Sequence, residues 1–428
     1  MMGGTRPGAG FESPAAMRRR WLAGIFAISL LWAVLVAVFS SDPVHQLWGE
    51  MAAVGYGLAL LCVVALRHGR TADLAVGLSF AGALLAPLAW MAAKGLEQPE
   101  VAVVANSGYT LIHQGTPYAD AAVLAGAQDP NQYNPYLPVM ALFGLPRALL
   151  GHGMLTDPRI WFGVVFLGIF WLALRRGGAL DPGRWTILVA ASPVIAFELA
   201  VGGTDVPMVA FLCLGFAYLW RRQPVLAGFA LGIGAAMKAT AWPALLVAIA
   251  LLAVRDGKQA VGRFTLTAVG VVVACVGPFV LGHPKALVEN TIMFPLGLAS
   301  VTSQASSPLP GHIISATWPH AGHTVVVVLL ALSGLAVAVS LVARPPRTVS
   351  RAVALLAGAM TLMFALAPST RFGYFIYPAT LAIWLLAIRA GNEVRQRQEE
   401  EPPTPDLDEP PPSSRTIPPT MPAPRPVA

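Results

Sequence analysis

Charge is scarce in this chain: Asp, Glu, Lys and Arg make up only 11% of its 428 residues, against 56% hydrophobic ones. A soluble domain of this length could not cover so much apolar surface, which leaves a polytopic helical membrane protein. Cysteine is nearly absent as well. Cys62, Cys213 and Cys275 stand apart inside apolar runs, without CxxC spacing, which points to neither a disulfide framework nor a zinc site. The chain has no GxxxxGK[ST] phosphate loop, no HExxH metal motif and no GxSxG nucleophile elbow. The net charge of +7 comes from short Arg-rich connectors between apolar runs, the pattern of a topology signal, and implies no nucleic-acid partner.

Basic residues are also missing locally. No Lys or Arg lies between Lys94 and Arg147, and within that gap Leu96 to Asn134 forms a polar stretch with four carboxylates, three tyrosines and His113. Loops on the cytoplasmic side carry an excess of Lys and Arg, so this base-free loop belongs outside. It is read here as the working surface of a membrane enzyme.

Arg18, Arg19 and Arg20 precede the run Trp21 to Ser40 and hold the N-terminus in the cytoplasm. The span that follows is too long for a cleaved signal peptide and is expected to stay as an anchor. Further crossings are expected at Trp48 to Leu66, Asp73 to Lys94, Ile160 to Leu174, Trp185 to Val201, Asp205 to Trp220, Val225 to Met237 and Ala241 to Val254. Phe264 to Leu281, Thr324 to Ala343, Arg351 to Ala367 and Gly373 to Ile388 complete the set. The stretch Pro135 to Leu150, broken by three prolines, is expected to be re-entrant or interfacial. The expected fold is thus an all-α polytopic bundle of about twelve transmembrane helices with both termini cytoplasmic, in the plasma membrane. Residues 1–20 form a cytoplasmic N-terminal segment, 21–388 the membrane domain with outer loops at about 95–134 and 283–322, and 389–428 a disordered Pro-rich tail.

This arrangement gathers Asp42, Glu97, Glu100, His113, Asp120, Asp129, Asp205, Lys238, His312 and Arg371 at the outer boundary, where ionisable groups are functional candidates. Lys238 at the tip of a helical hairpin is either a snorkelling interface marker or the partner of a phosphate or carboxylate. Asp205 opens a helix before Pro207 and reads as an N-cap that can also serve a ligand. Glu198, within the preceding helix, is within reach of Lys238. Arg371 suits a phosphate, and Tyr374 and Tyr377 beside it read most simply as an interface belt.

The segment SGYTLIHQGTPY, Ser107 to Tyr118, resembles the AGxALLxGxxPY segment in the first large outer loop of glycosyltransferase family 87, whose members are polytopic GT-C enzymes. NPYLP, Asn134 to Pro138, resembles the family's Tyr-Pro-Pro-Leu-like start of an apolar run. Gly202 to Pro243 is similar to its polar outer turn, helix, basic connector, small-residue helix and closing Lys, and RFGYFIYP gives a weaker C-terminal match. Seven residues before Ser107 stands Glu100, where the family usually has Asp.

The resemblance implies a GT-C-like bundle whose first outer loop is catalytic. It implies transfer of a hexose, mannose in the best-known members, from a polyprenyl phosphate to a lipid or cell-envelope glycan on the outer face. Carried over position by position, Glu100 is the catalytic base, Lys238 and Arg371 bind the donor phosphate, and Asp205, Tyr118, His113 and Asp42 support the site or hold the acceptor. No cofactor or metal is implied, with a divalent cation left open. A lipid-linked-sugar flippase, or a non-catalytic protein of the same fold, remains the alternative.

Overall fold

The computed structural model describes residues 14–66, 70–301, 305–318 and 321–400; most of the expected N-terminal segment, and residues 401–428 of the expected tail, lie outside them. Among the described residues the secondary structure is helical, with one isolated bridge between Ser306 and Thr370. The principal helices are α1 (Pro14–Phe39), α2 (Pro43–Ala65), α3 (Thr71–Lys94, with a π turn at Ala81–Leu85), α4 (Pro99–Gln114) and α5 (Pro158–Gly177). They continue with α6 (Pro182–Ala190), α7 (Pro193–Val201), α8 (Val206–Trp220), α9 (Pro224–Met237) and α10 (Trp242–Arg255). The set ends with α11 (Lys258–Gly282), α12 (Gly322–Ala343), α13 (Val349–Leu366) and α14 (Ile376–Glu400).

Nine of these fourteen helices open with Pro within their first two positions, where the missing N–H costs nothing. Eight helical segments among the described residues are long and apolar enough to cross a membrane, or nine if α6 and α7, bent by 61°, form one broken span. The shorter α8, α9 and α10 occupy three further positions where the sequence pattern placed crossings. Pro138–Leu150 is a 3₁₀ segment running into a short helix, roughly 23 Å long in all.

Buried helix breaks keep their polar groups satisfied, as a low-dielectric setting demands. In α3, Pro87 has no N–H for the carbonyl of Ala83, and the indole of Trp48 donates to that oxygen at 3.0 Å. At the α6–α7 bend, the Tyr56 hydroxyl donates to the Ala191 carbonyl at 2.6 Å.

The core centres on α8, which is apolar all round and has twelve of its fifteen residues buried between α5, α9 and α14. At the periphery, α11 and α12 have few fully buried residues, the expected state of helices whose outer solvent is lipid.

Two expectations give way. The polar stretch Leu96 to Asn134 is not a long loop, because sixteen of its residues form α4. Pro99 and Glu100 suit a first turn, Gly115 closes the helix at a positive φ of 71°, and Val101, Val103 and Val104 give it a buried face. Gly108 lets α4 approach the backbone of Gly144 so closely that a Cβ would lie 2.4 Å from the Gly144 carbonyl carbon. The last helix also runs further than the apolar pattern indicated, carrying residues 389–400 as its continuation.

Candidate active site

Four charged side chains meet at one end of the bundle as two ion pairs. Asp205 precedes α8, but its carboxylate does not cap that helix; it accepts from Lys238 Nζ at 2.5 Å and from the hydroxyl of Tyr377. Thr240 Oγ1 lies 2.9 Å from the same Tyr377 hydroxyl. Lys238 stands in extended backbone between α9 and α10, and the neighbouring Met237 carbonyl accepts from Leu137 N at 2.9 Å, which ties this turn to the NPYLP segment. Its ammonium lies 5.4 Å from the ring centroid of Tyr136 and 5.3 Å from that of Tyr374. Burial pulls this ammonium down, but Asp205 first, then Tyr377, Tyr374 and Tyr136, outweigh it and hold its pKa well above the ordinary value. Lys238 is therefore a fixed cation and no mere interface marker.

The second pair joins Glu100, in the first turn of α4, to Arg371. Arg371 is extended, and its segment is pinned to 305–307: Ser307 N donates to Thr370 O at 2.9 Å, and Phe372 N to Ser307 Oγ at 3.1 Å. Burial lowers the Arg371 pKa and Glu100 more than restores it, so the guanidinium is held above its usual range. Glu100 Oε1 takes the guanidinium, while Oε2 is buried and has no hydrogen-bond partner among the described residues. An acceptor oxygen left bare in this way costs free energy unless something arrives to use it.

The two pairs share one environment. Burial raises the pKa of the Tyr136 hydroxyl, Lys238 opposes that, and Glu100 and Asp205 both reinforce it. Glu198 completes the cluster from α7. Its carboxylate does not bind Lys238, which Asp205 occupies; it lies against Gly373, where a Cβ would come 2.2 Å from Oε1. Glycine in RFGYF is what admits this third acid beside the other two.

The structure separates the other candidates from this cluster. Asp42 caps α2, accepting from Val44 N at 2.8 Å, and stands 3.7 Å from His45 Nε2. That histidine nitrogen is 2.5 Å from Gln98 Nε2, so Asp42 reaches only the margin of the site. Tyr118 is buried, with its hydroxyl on the Tyr136 carbonyl at 3.1 Å and Ala286 and Leu287 around it, a packing role beneath the tyrosine whose ring faces Lys238. His113 is at the far end of α4, about 20 Å along its axis from Glu100, where it stacks on Tyr109 at 3.9 Å. Asp120 and Asp129 cap short turns through Ala122 N and Asn131 N. Glu97 belongs to a separate network in which Arg147 and Arg159 bind Glu97 and the fully buried Asp157, with Arg159 2.8 Å from Asp157. His312 Nδ1 lies 3.1 Å from the Pro368 carbonyl, within the segment that carries Arg371.

Sequence reasoning missed Tyr136, Tyr377 and Thr240 as parts of the site. An interface belt is the simplest sequence reading of Tyr377, but its ring is fully buried and its hydroxyl donates to Asp205. Its spacing of three from Tyr374, beside Arg371, was the available signal.

The chain resembles the crystal structure of ArnT from Cupriavidus metallidurans bound to undecaprenyl phosphate, at 15% identity and a TM-score of 0.45, covering 77% of this chain and 61% of that one. The apo structure of the same ArnT gives 17% identity and a TM-score of 0.44, covering 77% of this chain and 62% of that one. The chain thus spans about three fifths of the length of these solved structures. No curated protein matches it. The family model described as Glycosyltransferase family 87 matches residues 134–370, more than half of the chain. That stretch contains Asp205 and Lys238, ends one residue before Arg371 and leaves Glu100 outside it. With over half of a polytopic helical chain matched, and with Asp205 and Lys238 of its polar cluster inside the match, this protein belongs to glycosyltransferase family 87.

Proposed function

We propose that this protein transfers a hexose, mannose in the first instance, from a polyprenyl phosphate to a hydroxyl of a lipid or cell-envelope glycan. The transfer takes place at the outer face of the plasma membrane, with both termini in the cytoplasm. The observation that carries this reading is the pair of adjacent acid–base couples, Glu100 with Arg371 and Asp205 with Lys238, around shared tyrosines. Such a site holds two cations suited to a phosphate and a carboxylate with one bare oxygen. ArnT, whose crystal structure holds undecaprenyl phosphate, makes a polyprenyl-linked donor the natural class to test first.

In this mechanism the donor phosphate displaces carboxylate oxygens from Arg371 and Lys238. The acceptor oxygen attacks the anomeric carbon from the face opposite the phosphate, its proton passes to Glu100, and the bond from the anomeric carbon to the phosphate oxygen breaks. The anomeric centre inverts. The departing phosphate changes from a diester monoanion to a monoester with a second negative charge, so Arg371 and Lys238 bind it more strongly as the reaction proceeds. Interactions of that kind lower the barrier. Asp205 and Tyr377 hold the ammonium in place.

The test is incubation of membranes containing the protein with labelled polyprenyl-phosphomannose and a lipid extract. A labelled glycolipid that forms only when the protein is present is the expected product. No transfer from mannose or any other hexose carried on polyprenyl phosphate would overturn the reading.

A further inference from the structure

The end of the bundle opposite the ion pairs carries a second polar feature that sugar transfer does not use. Helices α5 and α8 pack along one another and finish together, and each ends in a pair of arginines: Arg175 and Arg176 in the last turn of α5, Arg221 and Arg222 just after α8. Between these ends lies a cleft of about 420 Å³ lined by Leu172, Arg175, Arg176, Arg221 and Gln223. From Asp205 to Arg221 the α8 axis extends roughly 24 Å, so the cleft is remote from the acid–base couples.

Three of the other arginines among the described residues on connectors at this end have acidic partners. Arg222 pairs with Asp256 at 2.6 Å, Arg255 with the same Asp256 at 2.6 Å, and Arg184 with Asp73 at 3.3 Å. Among the described residues, Arg175, Arg176 and Arg221 pair with no carboxylate. Two of the three are nonetheless held in position. Arg221 Nε donates to the Arg176 carbonyl at 2.7 Å, and the Arg175 guanidinium lies 5.3 Å from the Trp171 ring centroid. A topology signal requires only that arginines be present on the right side of the membrane. It does not explain why three unneutralised guanidiniums are drawn to one cleft, where like charges repel.

We propose that this cleft binds the phosphate of an anionic phospholipid. Guanidiniums grip a phosphate bidentately, and basic pockets between transmembrane helices recognise anionic headgroups. The walls favour a lipid over free phosphate. Leu172 lines the cleft, and the exposed Trp171, one turn before Arg175, lies on the apolar α5 span, a surface that acyl chains can follow. Lipid binding here steadies the ends of the two helices at the heart of the bundle and stands independently of the transferase reading.

The test uses the full chain in nanodiscs of phosphatidylcholine with a minor fraction of phosphatidylglycerol, followed by native mass spectrometry of the lipids it retains. Wild type retains phosphatidylglycerol out of proportion to its abundance. Replacing Arg175, Arg176 and Arg221 together with Gln lowers that enrichment about tenfold or more, whereas Arg222→Gln leaves it unchanged. The triple Lys replacement preserves charge and insertion but removes the planar fork, and lowers enrichment by roughly threefold. Undiminished enrichment in either triple variant overturns the proposal. So does retention of inorganic phosphate by wild type in pure phosphatidylcholine discs when phosphatidylglycerol shows no enrichment, because the ligand is then a free anion.

Discussion

Glu100→Gln is the substitution that separates the proposed proton transfer from the ion pair Glu100 makes with Arg371. The change keeps size and leaves an amide oxygen for Arg371, but the group can no longer take a proton. The ion pair it weakens is partly solvated, with side chains 23% exposed at Glu100 and 34% at Arg371, so folding loses only about 0–1 kcal/mol. Catalysis loses far more. A positioned general base contributes on the order of 10²–10⁴ in rate, equivalent to about 3–5 kcal/mol of barrier. The assay is initial-rate transfer from the labelled donor with insertion checked in parallel, resolved into kcat and KM. The expected result is a fall in kcat of roughly two decades or more. The donor KM stays level or falls, since the amide competes less with the phosphate for Arg371. Glu100→Asp, the residue usual in the family, keeps measurable turnover because the carboxylate remains. A kcat within about threefold of wild type in Glu100→Gln would refute the assignment of the base. Asp42→Asn is the control: it alters a helix cap worth about 1 kcal/mol and is expected to leave turnover nearly intact.

Lys238→Met leaves Asp205 nearly buried with only Tyr377 to hold it, so kcat falls by roughly two to three decades and the melting temperature drops with it. Restored thermal stability with no recovered activity in Lys238→Met/Asp205→Asn would locate the catalytic loss in the ammonium itself. Gly373→Ala forces a methyl against Glu198 and is expected to slow transfer while the protein still inserts; full activity would show that the third acid is idle. Arg159→Met removes a fully buried guanidinium from Asp157 and Glu97 and is expected to cost about 3–5 kcal/mol, read as a large loss of thermal stability in detergent.

Much of the frame was legible because long apolar runs, proline-opened helices and arginine connectors are local signals. What stayed hidden depended on partners far away in sequence. Arg147 and Arg159 disturb the charge pattern of topology because they neutralise Glu97 and Asp157 inside the fold. The polar stretch after Lys94 looked like a loop because its amides and hydroxyls mask the buried valine face of α4. In the site, Glu100, Asp205, Lys238 and Arg371 stood out because charge at membrane depth is rare. Their pairing was not legible, nor was the role of Tyr377, because an aromatic residue near the interface has too many ordinary uses. The resemblance through SGYTLIHQGTPY also carried His113 into the site, although a helix of this length puts it at the opposite end from Glu100.

The pairing of Glu100 with Arg371 also gives the proposed chemistry a timing. As the acceptor proton arrives, Glu100 loses the charge that holds Arg371, and at that moment the leaving phosphate gains its second negative charge. Arg371 can then shift its strength from one anion to the other with little movement, because its backbone is pinned by Ser307 and Thr370. If base and cation act as one unit in this way, their losses cannot add. Glu100→Gln and Arg371→Gln should each lower kcat by roughly two decades, and the double variant should fall by about as much as the worse single variant instead of by the product. Strict additivity across that double-mutant cycle would mean that the ion pair is only an architectural contact, with proton removal and phosphate departure served by residues that do not communicate.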